Sequence, residues 1–182
     1  MNKEHPSTTL IKDCIFSALM LLMEQKKYEE ITITEIAKKA GVSRMSYYRT
    51  YASKDDILIQ YFNHAFETAL KELQAEERPT IRQFDYKFFC LFKEHHVLLQ
   101  NLMEADLHKL ILKQFIKYTR YLAEHIFGLD LSDPIVQYRI HYEAGSIHAT
   151  AIHWLETGMK ETPEEMTDLL EHIRRTTNPL ST

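Results

Sequence analysis

Hydrophobic positions recur at helical spacing along nearly the whole chain. Ile11, Ile15, Ala18 and Leu22 fall at i, i+4, i+7 and i+11, one face of a helix predicted over 8–25. The polar run Lys26 to Glu30 ends it. Thr32, with Glu35 three residues on, has the form of a capping box and opens a second helix ending near Ala40. Gly41 suits the position just past that helix, where a left-handed backbone is needed. Ser43 caps a third helix through about Tyr51. Ser53 starts a fourth, with Asp55 and Asp56 set against the positive end of its dipole, and it runs to about Ala75. Glu76-Glu77-Arg78-Pro79-Thr80 is read as a loop. Further helices are predicted over 81–94, 97–103 and 107–127. Pro134 opens a long helix to Thr157, which Gly158 stops, and Pro163 opens a last one to Thr176. No strand, internal repeat or low-complexity tract is evident.

Composition agrees. The chain has 182 residues, 45% of them hydrophobic, with only 4 Gly and 5 Pro, which favours helices joined by short connections. Cys14 and Cys90 sit within apolar helical patterns; reduced buried thiols are expected in preference to a disulfide. The N-terminus lacks a signal-type apolar run, and 15–23 is too short to span a bilayer, so a soluble, cytoplasmic protein without membrane partners is expected.

Charge is what changes the picture. The net charge is -4, yet the halves differ: residues 1–71 hold 10 basic and 9 acidic side chains, and residues 72–182 hold 12 and 17. Between Ile36 and Lys54 there is no acidic residue, while Lys38, Lys39, Arg44, Arg49 and Lys54 are basic. A basic window of two short helices joined by Gly41-Val42-Ser43 has the character of a helix-turn-helix, whose second helix enters the major groove of DNA. The acidic remainder repels nucleic acid and suits other partners.

The run from Ala37 to Leu58, AxKAGVSRxSxYRxYxSKDDIL, resembles the DNA-binding domain of the TetR family of transcriptional regulators. WLETGMKETPEEM, Trp154 to Met166, is similar to the end of the regulatory domain in one branch of that family. The resemblance implies an all-α homodimer of about nine helices. An N-terminal helix-turn-helix domain, 1–53, would precede a helical-bundle domain for ligand binding and dimerisation, 54–182. It also implies a palindromic double-stranded operator and, in most members, repression released by a small ligand. An activator, or an adaptor acting through protein partners, is the alternative.

Residue chemistry agrees with that resemblance. Ala37, Ala40 and Val42 are small enough for two helices to cross closely, and Ile36 and Tyr47 are core candidates. Arg44, Met45 and Arg49 are candidates for base edges; an arginine can bond guanine O6 and N7 together. Ser46, Tyr48 and Thr50 carry hydroxyls suited to phosphate oxygens, as does Thr34 at the start of the second helix. Lys54 is expected to add its charge to free amides at the start of the fourth helix. Met45 stands where the family commonly has a small residue and Thr50 where it has histidine, so no operator sequence carries over.

The acidic remainder is rich in aromatics. Phe66, Phe88, Phe92, Met103, Tyr118, Tyr121 and His148 are candidates for lining an effector pocket, since such pockets are mostly apolar with a few polar groups. Ala144, Gly145, Ala149 and Ile152 form a small-residue strip, and Met166, Leu169, Leu170 and Ile173 an apolar stripe; both are expected at the dimer surface. The ten histidines include no HxxxH or HExxH pattern, so no metal site is assigned, and no cofactor. With no GxSxG, Gly-rich phosphate loop or paired-carboxylate motif, catalysis has no support.

Overall fold

The computed structural model describes residues 6–74 and 79–176. Among them are nine α-helices: α1 Pro6–Met23, α2 Ile33–Lys39, α3 Arg44–Thr50, α4 Lys54–Gln74, α5 Ile81–Glu94, α6 His96–Glu104, α7 His108–His125, α8 Pro134–Glu156 and α9 Pro163–Arg175. One 3-10 turn, Tyr28–Glu30, interrupts the stretch expected to be a plain polar connection. The expected loop residues Glu76 to Arg78, and the expected helix end at Ala75, lie outside the described residues. No described helix is long and apolar enough to cross a membrane.

Helix starts follow side-chain chemistry. Thr32, Thr80 and Thr162 each accept a hydrogen bond from the amide three residues on, and Glu35, Gln83 and Glu165 bond back to the capping amide. Asp133 caps α8 by accepting from the Ile135 amide, with Pro134 at the first helical position. Each such cap contributes about 0.5–2 kcal/mol.

The helices form two compact units. The first runs to Ala65 and takes in Asn101–Asp106; the second comprises Phe66–Gln100 and the chain from Leu107. In the first, α1 packs on α2 and α3. Ile15, Leu19, Ile36, Tyr47, Ile57, Leu58 and Leu102 are its most deeply buried side chains. A fully buried Ile or Leu is worth about 1.5–3 kcal/mol over an exposed one. In the second unit α5 packs on α9 and α7 on α8. Phe89, Phe92, Ile111, Ile140, Ala144, Ile147, Ala151, Trp154, Met166 and Leu170 are buried there. Its α5–α9 seam carries charge: the Arg174 guanidinium bonds the buried Asp85 carboxylate and Glu143, and Arg82 bonds Asp168 and Glu171.

Burial corrects part of the expected dimer surface. Ala144, Met166 and Leu170 are buried inside the second unit and offer nothing to a partner. The reason is angular. Met166 and Leu170 occupy the edge of the α9 stripe that meets α5, while Leu169 and Ile173, on the other edge, stay exposed. On α8 the buried Ile140, Ala144, Ile147 and Ala151 form one face, so the strip of small residues is divided between inside and outside.

The α2 cap has a pH signature. Glu35 accepts from Lys26 Nζ at 2.6 Å and from the Thr32 amide at 2.9 Å. These bonds, Lys26 first, hold its carboxyl down at about 2 against an ordinary 4.5. A folded value below the unfolded one means the stabilisation is present above about pH 4.5 and is lost as pH falls towards about 2. Wild type should therefore melt above Glu35→Gln at pH 7, and the gap should close through this acidic range. A gap in thermal midpoint that stays constant across that range would refute this assignment.

Candidate nucleic-acid interface

An isolated helix as short as the seven-residue α3 is not stable in water. Three local devices hold it. Ser43 accepts from the Ser46 amide at 3.0 Å, capping its start. Gly41, at φ +68°, lets the chain leave α2 through paired bonds from Gly41 N to Lys38 O and from Val42 N to Ala37 O. Tyr47 is wholly buried, edge-on to Tyr48 at 5.5 Å and tilted against Tyr51 at 6.1 Å. Burial pushes the Tyr47 phenol up to about 12.

With Tyr47 inside, the opposite side of the helix faces out. Met45 is 74% exposed and Tyr48 51%, and Arg44 and Arg49 are exposed beside them. The Arg44 guanidinium lies 6.0 Å from the centre of the Tyr48 ring, and Arg49 donates to the Ser46 hydroxyl at 3.3 Å. Thr50 is turned differently, its hydroxyl donating to the Ser46 carbonyl at 2.9 Å. Thr34 is exposed in the first turn of α2, and Lys38 and Lys39 are exposed in its last turn. The outward face of α3 thus carries two guanidiniums, one thioether, one phenol and one hydroxyl, with no carboxylate within the helix.

Lys54 is placed otherwise than at an open helix start. Its ammonium donates to the Tyr28 carbonyl at 2.6 Å and reaches the Glu29 carbonyl at 3.4 Å. It also lies 4.4 Å from the centre of the Tyr28 ring. The Tyr28 hydroxyl in turn donates to Asp55 at 2.6 Å. Burial pulls the Lys54 ammonium below its ordinary value. The first turn of α4 is capped instead by Ser53, which accepts from the Asp56 amide at 3.1 Å. This clasp between the 3-10 turn and α4 was not foreseen from sequence; its only signal is a lone aromatic, Tyr28, in a polar run.

Family models match both regions of the chain. One for bacterial regulatory proteins of the tetR family covers residues 15–61, and one for a transcriptional regulator C-terminal region covers residues 79–175. The chain belongs to the TetR family of transcriptional regulators. It is thus a DNA-binding regulator rather than an enzyme, with a TetR helix-turn-helix domain followed by a helical C-terminal domain. The regulator EthR of Mycolicibacterium smegmatis is 32% identical over 88 residues, 44% of this chain and 41% of that protein, so the match spans about two-fifths of its length. Among solved structures, Lin0861 from Listeria innocua has a TM-score of 0.81 at 14% identity, covering 96% of this chain and 94% of that one. DhaS, an activator of a dihydroxyacetone kinase operon, has 0.60 at 16%, covering 90% and 93%. FadR of Bacillus subtilis, solved with stearoyl-CoA, has 0.56 at 17%, covering 88% and 96%.

In this TetR protein the expected effector residues fall into separate groups. Phe66 stacks on Tyr118 at 4.1 Å and meets Tyr121 edge-on at 5.9 Å; the three line a shallow depression of about 220 Å³ with Lys117 and Glu124. Phe88 and Phe92 pack into an aromatic core with Phe89, Phe115 and Trp154, and His148 lies against Phe115 at 5.7 Å. Met103 belongs to the first unit. On α8, sequence reasoning missed the strongest outward signal. Ile135 is 75% exposed, Tyr138 80% and Tyr142 67%, and they continue through half-buried Gly145, exposed Ala149 and half-buried Ile152 on one face. Spacings of three and four residues from 135 to 152 are the readable trace of that face.

The turn that aims α3 is testable. Gly41→Ala forces a left-handed alanine although its methyl meets no neighbour within 4 Å. It should cost about 1–2 kcal/mol in denaturant unfolding. A neutral outcome would mean that this turn relaxes freely and does not fix α3.

Proposed function

We propose that this TetR regulator is a homodimeric repressor that binds a palindromic operator and is released by a small effector. The observation that carries the reading is the outward face of α3, with Arg44, Met45, Tyr48 and Arg49 exposed around a buried Tyr47. Arg44, Met45 and Arg49 are assigned to base edges, with an arginine–guanine pair worth about 1–3 kcal/mol of discrimination. Ser46, Tyr48 and Thr34 are assigned to phosphate oxygens, which set register without carrying sequence, while the Thr50 hydroxyl is committed to the Ser46 carbonyl. Lys54 is assigned a positioning role, because its ammonium is committed to the Tyr28 and Glu29 carbonyls.

A single seven-residue helix reads few base pairs. Two copies related by a twofold axis read two half-sites about 34–36 Å apart, or a multiple of that spacing. The exposed apolar face of Ile135, Tyr138, Tyr142 and Ala149 on α8, with Leu169 and Ile173 on α9, supports pairing through the helical unit. Effector release then requires a ligand that binds the operator-competent state less well than the alternative. The continuous α4, from Lys54 to Gln74, begins in the first unit and ends in the second, which suits it to carry such a change.

Selection of bound fragments from random DNA, read by sequencing, should return an inverted repeat, and a pool without symmetric enrichment would sink the operator reading. A reporter behind that site should be repressed; activation would favour the activator alternative. Arg44→Ala should relax one position per half-site at a cost of about 1–3 kcal/mol. Lys54→Ala should weaken every sequence while leaving the salt slope unchanged, whereas loss of a true phosphate contact lowers it by about 0.9. Tyr138→Glu combined with Tyr142→Glu should give a monomer in sedimentation with operator affinity lost. A dimer that survives both changes would move the interface elsewhere.

A further inference from the structure

A groove of about 280 Å³ opens in the second unit between α5, α7 and α8. Its walls include Phe84, Leu122, Phe127, Leu129, Ile140 and Ile147. Phe127 and Leu129 are exposed at its rim, so apolar surface there faces water uncovered. Four charged side chains also line it: Asp85, Arg139, Glu143 and Arg174.

Three of those charges satisfy one another. Arg174 bonds Asp85, which is only 1% exposed, and donates through Nε to Glu143 at 3.2 Å. The fourth is left over. Arg139 and Glu143 stand at i, i+4 on α8, where opposite charges ordinarily pair. Glu143 is diverted to Arg174, and the exposed Arg139 guanidinium has no ion-pair partner among the described residues. An unclaimed fork of donors therefore stands beside an open apolar groove.

We propose that this groove binds a small amphipathic monocarboxylate, its carboxylate on Arg139 and its apolar body against the groove walls. The guanidinium fork matches a carboxylate in charge and geometry. The groove offers one uncommitted guanidinium, which suits a head group of single negative charge. A cationic head has no open partner, because Arg174 already holds both acids. The volume of about 280 Å³ lies just below the usual range of ligand pockets, about 300–1,000 Å³. It suits a medium-chain or single-ring acid and not a long acyl thioester. As the effector site of the regulator, the groove rests on the ligand-release reading above; as a binding site, it stands alone.

The test uses the full chain without DNA, titrated calorimetrically with octanoate, 1-octanol and octylamine. Octanoate should bind at least about ten-fold more tightly than the alcohol or the amine. Arg139→Gln should lose about ten-fold for octanoate and leave 1-octanol unchanged, and Ala123→Phe, at a groove wall, should weaken both. Helical circular dichroism confirms that each variant is folded. Tighter binding of the amine, octanoate binding indifferent to both substitutions, or Arg139→Gln splitting the dimer without touching octanoate overturns the proposal. Operator binding is then measured with octanoate present. Binding to the groove with operator affinity unchanged keeps the site and removes its effector role. Failure to bind octanoate, while another compound releases the operator, removes the groove and leaves the ligand-release reading intact.

Discussion

The burial of Tyr47 sets the orientation on which the rest of the DNA-binding surface depends. A helix of seven residues has no independent stability, so its rotation is decided by whichever side chain the small core accepts. Tyr47 is that side chain, fully enclosed, in a core that also holds Ile36, Ile57 and Leu58. Once it points inward, helical geometry turns Met45, Tyr48 and Arg49 towards solvent, and Arg44, in the first turn at the edge of the buried face, is exposed beside them. The Gly41 turn and the Ser43 cap then set where the helix starts. Hydrophobic burial, a permissive backbone and a hydroxyl cap thus cooperate to present a few side chains to DNA.

The same logic of saturated and unsaturated partners runs through both units. In the first, the half-buried Lys54 is engaged by two carbonyls and an aromatic ring, so the exposed charge of the basic window is that of Lys38, Lys39, Arg44 and Arg49. In the second, Arg174 gathers Asp85 and Glu143 and leaves Arg139 without an ion-pair partner among the described residues. A charge census alone gives no sign of either arrangement, because a committed cation and a free one contribute equally to the net charge of -4. What differs is the availability of each charge to a ligand, which burial and hydrogen bonding decide.

Much was legible in the chain itself, and the reason is local. Capping boxes, proline starts and the glycine after α2 involve residues within a few positions of one another, so spacing alone identifies them. Helix α5 begins and ends where the pattern predicts, at Ile81 and Glu94, and most other boundaries fall within one or two residues. The acid-free basic window and the Gly41-Val42-Ser43 turn mark the DNA-binding domain in the sequence itself. The short turn at Tyr28–Glu30 escaped notice because its partners, Lys54 and Asp55, lie more than twenty residues away.

Sequence by itself therefore determined the helices, their ends, the all-α class and the location of the recognition element, because these rest on periodicity and short-range hydrogen bonds. Tertiary structure alone decided which edge of each apolar stripe is spent inside. It buried Met166 and Leu170 but left Leu169 and Ile173 exposed, and it divided the candidate effector aromatics between a packed core and a shallow depression. It also chose which acceptors engage Lys54 and Arg174. A stripe of apolar residues is compatible with either side of a helix-wide arc, and a lysine or arginine with any acceptor within reach. Only the packing of distant segments removes that degeneracy.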